Sequence, residues 1–192
     1  MKISQLVSNK KTTFNGPILL KPNLFTDERG FFMESWNNNV FNNILKKPII
    51  FVQDNHSFSN QGVLRGMHYQ LNPFPQSKLV RCISGEIFDV IVDLRKSSET
   101  YLSWAGIYLN EKNNAQLWVP YGFAHGFLTI SKTATVLYKT DAYWDGDSEV
   151  SLNWQDKDIN IKWPKIEQNI VISEKDKRGK KISEIEKSQL LP

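Results

Sequence analysis

The feature that most restricts this chain is a succession of short β-branched and aromatic runs, each closed by turn residues before it reaches helical length. Ile49–Gln53 (IIFVQ), Lys78–Ile83, Glu86–Leu94, Trp104–Leu109, Gln116–Val119, Phe127–Ile130 and Thr135–Thr140 each read as a strand. Within Glu86–Leu94 the period of two puts Phe88, Val90, Val92 and Leu94 on one face, and Ser84-Gly85 just ahead reads as a hairpin signal. Many short strands at this spacing predict an all-β fold, a sandwich or barrel-like jelly roll. Helical signals are confined to a few short peripheral stretches. Asn37–Lys47 sets Val40, Phe41, Ile44 and Leu45 on one stripe, and Ile182–Leu191 is a weaker short helix. No repeat, low-complexity tract or Gly/Ser linker breaks the chain, so residues 1–192 are expected to form one domain.

Composition closes several alternatives. With 40% hydrophobic and 12% aromatic residues the chain can bury a real core, which argues against disorder. Cys82 is the only cysteine, so an intrachain disulfide and a Cys-rich zinc module are excluded, and KLVRCIS reads as a buried strand. The net charge of +4 only mildly favours anionic partners. The stretch from Glu174 to Lys187 carries six basic and four acidic residues, a pattern of a solvated face rather than a nucleic-acid arm. No run approaches the roughly 18 apolar residues of a membrane span, and MKISQLVSNKKTTF lacks the apolar core of a signal peptide. The expectation is a soluble, cytoplasmic protein with no membrane or nucleic-acid partner.

Three segments are too polar for plain core strands. GVLRGMHYQ (Gly62 to Gln70) sets an Arg three residues before a His, and FVQDNHS (Phe51 to Ser57) brings amide, carboxylate and imidazole together. VPYGFAHGF (Val119 to Phe127) holds Pro120, Gly122 and His125 in a P-x-G-x-x-H spacing, where Pro and Gly shape a turn that aims the His inward. That pattern resembles the second motif of the cupin superfamily, whose barrels open at one end to a pocket. Many cupins hold a metal through an H-x-H pair, but here the pair reads His68-Tyr69-Gln70, so an imidazole ligand is missing. No metal and no redox cofactor are expected.

The resemblance then narrows. FTDERGFFMESW, FVQDNHS, LRGMHYQ, KLVRC, GEIFDVIVDLR, WVPYGFAHGF, VLYKTDAYW and SEKD follow one another from about residue 20 to 180, and together they are similar to the signature segments of the dTDP-4-dehydrorhamnose 3,5-epimerase family. The resemblance implies a homodimeric, metal-independent cupin-type jelly roll. It would invert C3 and C5 of a dTDP-4-keto-6-deoxy sugar on the route to dTDP-L-rhamnose. It assigns His68 as base, Asp176 as its dyad partner and Tyr138 as proton donor. It also implies substrate contacts at Arg29, Glu34, Gln53, Asp54, Asn55, Arg65, Lys78, His125, Trp144, Glu149 and Lys175. Either Trp144 or Tyr143 could stack on the thymine. His56 has no assignment, and Arg81 and Arg95 read as structural or surface residues.

The chemistry asks for such a set. A proton next to a ketone leaves as the carbanion becomes an enolate, which calls for a base, an acid on the opposite face and a cation or donor at the enolate oxygen. Imidazole titrates in the working range, a carboxylate behind it fixes the tautomer, and Lys78 could hold the enolate. The alternatives are a mono-epimerase acting at C3 or C5 alone, a metal-dependent cupin enzyme and a non-catalytic sugar-binding cupin.

Overall fold

The structure, a computed structural model, describes residues 1–186. Two antiparallel sheets face each other. The six-stranded sheet runs β1 (Lys2–Val7), β2 (Thr13–Lys21), β10 (Gln116–Val119), β7 (Lys78–Ser84), β12 (Thr133–Thr140), β5 (Gln53–Asn60). The five-stranded sheet runs β13 (Glu149–Ser151), β6 (Leu64–Gln70), β11 (Phe123–Thr129), β8 (Glu86–Asp93), β9 (Trp104–Asn110). Strands β3 (Phe25–Asp27) and β4 (Gly30–Phe32) form a separate exposed hairpin. This is the expected all-β jelly roll with short helices at its edge, α1 (Asn38–Leu45) and α2 (Glu174–Lys177).

Apolar side chains pack in three layers. Between the sheets lie Phe14, Val80, Cys82, Ile87, Ile91, Leu117, Phe127 and Val136. Burial pushes the Cys82 thiol up to about 11, so it packs as a small hydrophobe. Behind the five-stranded sheet, Phe88, Val90, Val92 and Leu94 are covered by Leu152, Ile159, Ile182 and Ile185 from the last third of the chain. Strand β8 is therefore buried on both faces, which is why it is written as an almost unbroken apolar run. Behind the six-stranded sheet, Phe41 of α1 meets Trp118 edge-on at 5.2 Å between ring centres, with Phe51 against both. Helix α1 starts where the Asn37 side chain accepts from the Val40 amide at 3.2 Å. It ends at Lys46, whose left-handed backbone precedes Pro48.

Four expectations change. Ser84-Gly85 is not a hairpin: β7 and β8 lie in different sheets, and the turn carries the chain across the barrel edge. The run Ile49–Gln53 is not a strand, because β5 begins only at Gln53. The residues before it drop Ile49 and Phe51 onto the α1 cluster, while Ile50 faces solvent. A local run of β-branched residues cannot tell pairing from side-chain burial, and here burial won. Val40 leaves the predicted apolar stripe of α1 and is exposed. At the other end, the start of the expected helix at Ile182–Leu191 is a 3₁₀ turn, Ile182–Glu184, and the part beyond residue 186 lies outside the described residues.

Gly85 makes the crossing between sheets possible. Its φ is +75°, and a side chain there would collide with the Thr133 carbonyl. Gly85→Ala is expected to destabilise the fold by about 2 kcal/mol, roughly 4–8 °C in melting temperature for a chain this size. An unchanged thermal midpoint would show that the turn can relax without the glycine.

Candidate active site

The barrel opens at one end into a cavity of about 450 Å³ whose walls are the inner faces of both sheets. On β6, residues alternate so that His68 and Gln70 share the inner face. His68 Nε2 lies 2.6 Å from Oδ1 of Asp176, a contact across 108 residues. Asp176 is only 5% exposed. Its turn is capped by Ser173, whose hydroxyl accepts from the Asp176 amide at 3.1 Å. Burial alone would raise the Asp176 carboxyl, but the hydrogen bond and charge of His68 outweigh it and hold it below the usual range. With the carboxylate on Nε2, the neutral ring keeps its Nδ1 lone pair free, 3.8 Å from Oε1 of Glu149.

The facing wall comes from the six-stranded sheet. Tyr138 on β12 pairs with Val80 on β7, and Lys78 lies two residues along, opposite Thr140, so their side chains are diagonal neighbours on the inner face. Burial pushes the Lys78 ammonium down to about 8, against the pull of Glu149 and Asp89. Burial, then the Glu149 charge, raises the Tyr138 hydroxyl, which keeps its proton at neutral pH. Glu149 on β13 is itself held by three groups: the ion pair with Lys175, the indole N–H of Trp144 at 3.0 Å, and nearby His68. Burial raises its carboxyl, yet these donors and cations together bring it below its ordinary value. Arg65 lines the same cavity, with its Nε donating to the Ser59 hydroxyl at 3.0 Å. His125 on β11 is the direct cross-strand neighbour of His68.

Nine residues chosen from the sequence therefore meet in one cavity: His68, Asp176, Tyr138, Lys78, Glu149, Lys175, Trp144, Arg65 and His125. Gln53 and Asn55 reach an adjoining recess shared with Tyr138 and Trp144, where Gln53 Oε1 accepts from the Trp144 amide at 3.0 Å. Asp54 points to the outer side of β5 and pairs with Lys139. His56 also faces outward and lines a second cleft with Trp36 and Arg81. Arg29 pairs with Asp27 on the exposed β3–β4 hairpin, and Glu34 accepts from the Asn37 side chain; neither lines the cavity. Arg95 is a framework residue, with Nε and Nη2 on the Asp93 carboxylate at 2.9 and 2.7 Å. Trp144 lines the cavity and Tyr143 does not.

Gln70 stands where an H-x-H ligand would be, and its side chain is fully committed elsewhere. Its amide donates to the carbonyls of Phe74 and Tyr143 and accepts from the Asp145 amide, which fixes the loop that presents Trp144. Two residues of the site, Ser173 in SEKD and Asp89 in GEIFDVIVDLR, carry no role in the sequence reading. Ser173 caps the Asp176 turn, and Asp89 contacts His125 Nε2 at 2.7 Å. Asp89 had a signal: a carboxylate in the middle of the apolar run EIFDVIVD is rarely buried without a reason.

Comparison with known proteins agrees with this geometry. The family model for dTDP-4-dehydrorhamnose 3,5-epimerase matches residues 11–184. A protein of that name from Shigella flexneri is 51% identical over 171 residues, covering 89% of this chain and 93% of the relative. The crystal structure of an epimerase from Legionella pneumophila in complex with dTDP-4-keto-L-rhamnose superposes with a TM-score of 0.91 at 37% identity, over 99% of this chain and 98% of that one. A 3'-monoepimerase from Streptomyces bikiniensis in complex with dTDP-quinovose shares the fold at TM-score 0.85 and 28% identity, over 92% of this chain and 89% of that one. A cavity built on a buried imidazole–carboxylate pair, inside a jelly roll that matches these relatives over nearly its whole length, places the chain in the dTDP-4-dehydrorhamnose 3,5-epimerase family.

Proposed function

We propose that this protein epimerises C3 and C5 of dTDP-4-dehydro-6-deoxy-D-glucose, giving dTDP-4-dehydro-L-rhamnose, with one base and one acid on opposite walls of the cavity. The observation that carries the reading is the placement of His68 with Asp176 on the five-stranded wall and of Tyr138 with Lys78 on the six-stranded wall. A sugar ring between them has one face toward Nδ1 and the other toward a phenol. His68 Nδ1 takes the proton from the carbon next to the 4-keto group, and the C–H electron pair moves into an enolate whose charge rests on O4. The Asp176 carboxylate stabilises the imidazolium that forms, and the Lys78 ammonium holds the enolate oxygen. Tyr138 then delivers its proton to the opposite face of the carbon, which completes the inversion. Before the second event the His68 imidazolium gives its proton to water and the Tyr138 phenolate takes one back through the open cavity. The same steps at the second carbon then invert the other centre.

The carrier's negative charge meets Arg65 and Lys175 at the cavity rim, and Trp144 offers the flat face on which the thymine stacks. Gln53 and Asn55 contact the nucleotide sugar from the adjoining recess. The whole chain acts as one domain. The protein works in the cytoplasm as a homodimer, with no membrane or nucleic-acid partner. Two features support the dimer. The hairpin bearing Arg29 exposes Phe25, Phe31 and Phe32, each more than half accessible, and Arg29 reaches no part of its own chain's cavity. In the dimer Arg29 and Glu34 serve the partner's site.

Proton NMR with dTDP-4-keto-6-deoxyglucose in heavy water reports position and stereochemistry together. Wild type should take up deuterium at C3 and C5 and give the doubly inverted sugar; exchange confined to one carbon would make it a mono-epimerase. His68→Ala should lose exchange at both carbons, and Tyr138→Phe should lose inversion while retaining some exchange.

Lys78 sets the alkaline limit. Its ammonium is lost as the pH rises through about 8, so kcat/KM should fall above that pH, because this ratio reports groups of the free enzyme. A profile flat to pH 10 would remove Lys78 from the enolate site. Co-expressing Arg29→Ala with His68→Ala chains should restore turnover that neither homodimer shows, since a mixed dimer keeps one intact site; absence of rescue would return Arg29 to its own chain.

A further inference from the structure

The catalytic wall holds a second imidazole–carboxylate pair. His68 on β6 and His125 on β11 are direct cross-strand neighbours on the inner face. Each ring has a carboxylate on its Nε2: Asp176 at 2.6 Å on His68, and Asp89 at 2.7 Å on His125. The carboxylates arrive from opposite sides, Asp176 from the turn packed on β6 and Asp89 from β8 beyond β11. Asp89 is at 0% exposure, while His125, at 7%, keeps only an edge on the cavity.

A scaffold role for Asp89 is disfavoured by comparison within its own strand. Asp93, four residues along β8, is also at 0% exposure, but its carboxylate takes hydrogen bonds from Arg95, Ser98 and Thr100. That is how a buried structural carboxylate is satisfied. Asp89 has the His125 contact through Oδ1, while its Oδ2 is buried with no hydrogen-bond partner among the described residues. Leaving a buried carboxyl oxygen without a hydrogen bond destabilises the fold, and such a group calls for a functional reason.

We propose that Asp89 is a positioning residue of the active site: it holds the His125 ring with Nε2–H turned away from the cavity, so that Nδ1 accepts a hydrogen bond from a hydroxyl of the bound sugar beside the reacting carbons. The proposal rests on the epimerase reading for the identity of the sugar. It gives the two neighbouring imidazoles different work. His68 Nδ1 moves a proton, and His125 Nδ1 fixes the ring so that the C–H bond points at His68. A misplacement of about 1 Å at such a site can reduce the rate on the order of a hundredfold.

The test is a double-mutant cycle with three readouts. Asp89→Asn keeps the size of the side chain but replaces the carboxylate behind Nε2–H with a neutral amide, which holds the tautomer less strongly. It should lower kcat/KM on the order of ten- to a hundredfold, the range seen when the outer partner of an oriented imidazole is lost. The dissociation constant for dTDP, which carries no sugar, should stay within about twofold of wild type, since His125 lies at the chemical end of the cavity. On a His125→Ala background, Asp89→Asn should cause no further loss. An additive loss, or an equal weakening of dTDP binding, would overturn the proposal by showing that Asp89 acts on the pocket as a whole. Ring nitrogen NMR of the wild-type protein needs neither a folded variant nor turnover. His125 should hold its proton on Nε2, and a ring averaging both tautomers would overturn the assignment. If the wild type fails to turn over the dTDP-4-keto sugar, the functional reading fails, while the tautomer still decides whether Asp89 orients His125.

Discussion

The hydrogen bond between His68 and Asp176 is the contact on which the rest of the site depends, and it is made between segments 108 residues apart. Asp176 sits on a helical turn of four residues, far too short to be stable by itself. What delivers it is hydrophobic burial elsewhere in the last third of the chain. Leu152, Ile159, Ile182 and Ile185 cover the outer face of the five-stranded sheet. Two parallel bridges, Val63 with Val171 and Leu152 with Lys180, tie the segment on either side of the turn. At about 25 cal/mol per Å² of apolar surface, that packing supplies the energy that a single imidazole–carboxylate contact could not. The catalytic pair is thus a consequence of the core, and the Ser173 cap sets its final orientation.

Inside the cavity, burial and charge pull in opposite directions, and which one wins differs usefully from group to group. At Lys78 burial wins and the ammonium is weakened to about 8. A cation that holds its proton loosely in the resting site gains most when negative charge develops on an enolate beside it. At Glu149 and Asp176 the neighbouring cations and donors win, so both stay ionised and frame His68 from two sides. At Tyr138 burial and the Glu149 charge act together, and the hydroxyl remains a proton donor. Glu149 links these effects, because the same carboxylate accepts from Trp144, pairs with Lys175 and lies near His68. The Trp144 indole and the His68 imidazole are therefore joined through one side chain.

Much of the fold was legible because its signals are local. The alternation in β8, the polar break at FVQDNHS and the P-x-G-x-x-H turn all report on immediate neighbours. What local pattern misrepresents is long-range. Ser84-Gly85 carries a turn signature whether its strands pair or part into two sheets, and only the partners of β7 and β8 distinguish the cases. Ile49–Val52 has strand composition, yet Ile49 and Phe51 are taken up by Phe41 and Trp118 rather than by a ladder. Asp176 lies in a charged stretch that reads as solvated by composition, and only resemblance picked it out. Asp89 shows the reverse: its placement within an apolar strand announced a buried charge, but no spacing rule could name His125, 36 residues away, as its partner.

The two-walled arrangement also bears on how one small cavity can serve two carbons. C3 and C5 flank the same carbonyl, so both carbanions put their charge on the same oxygen, and a single cation at O4 suffices for both. The base and acid need not move either, because inversion at each carbon requires only opposite faces, which the two sheets already provide. What must change between the two events is the ring itself, turned so that each C–H in succession points at His68. Contacts to hydroxyls that hold the ring in one pose or release it into another therefore decide whether one centre or both are inverted. On the proposed reading His125, beside His68 on the same wall, supplies one such contact.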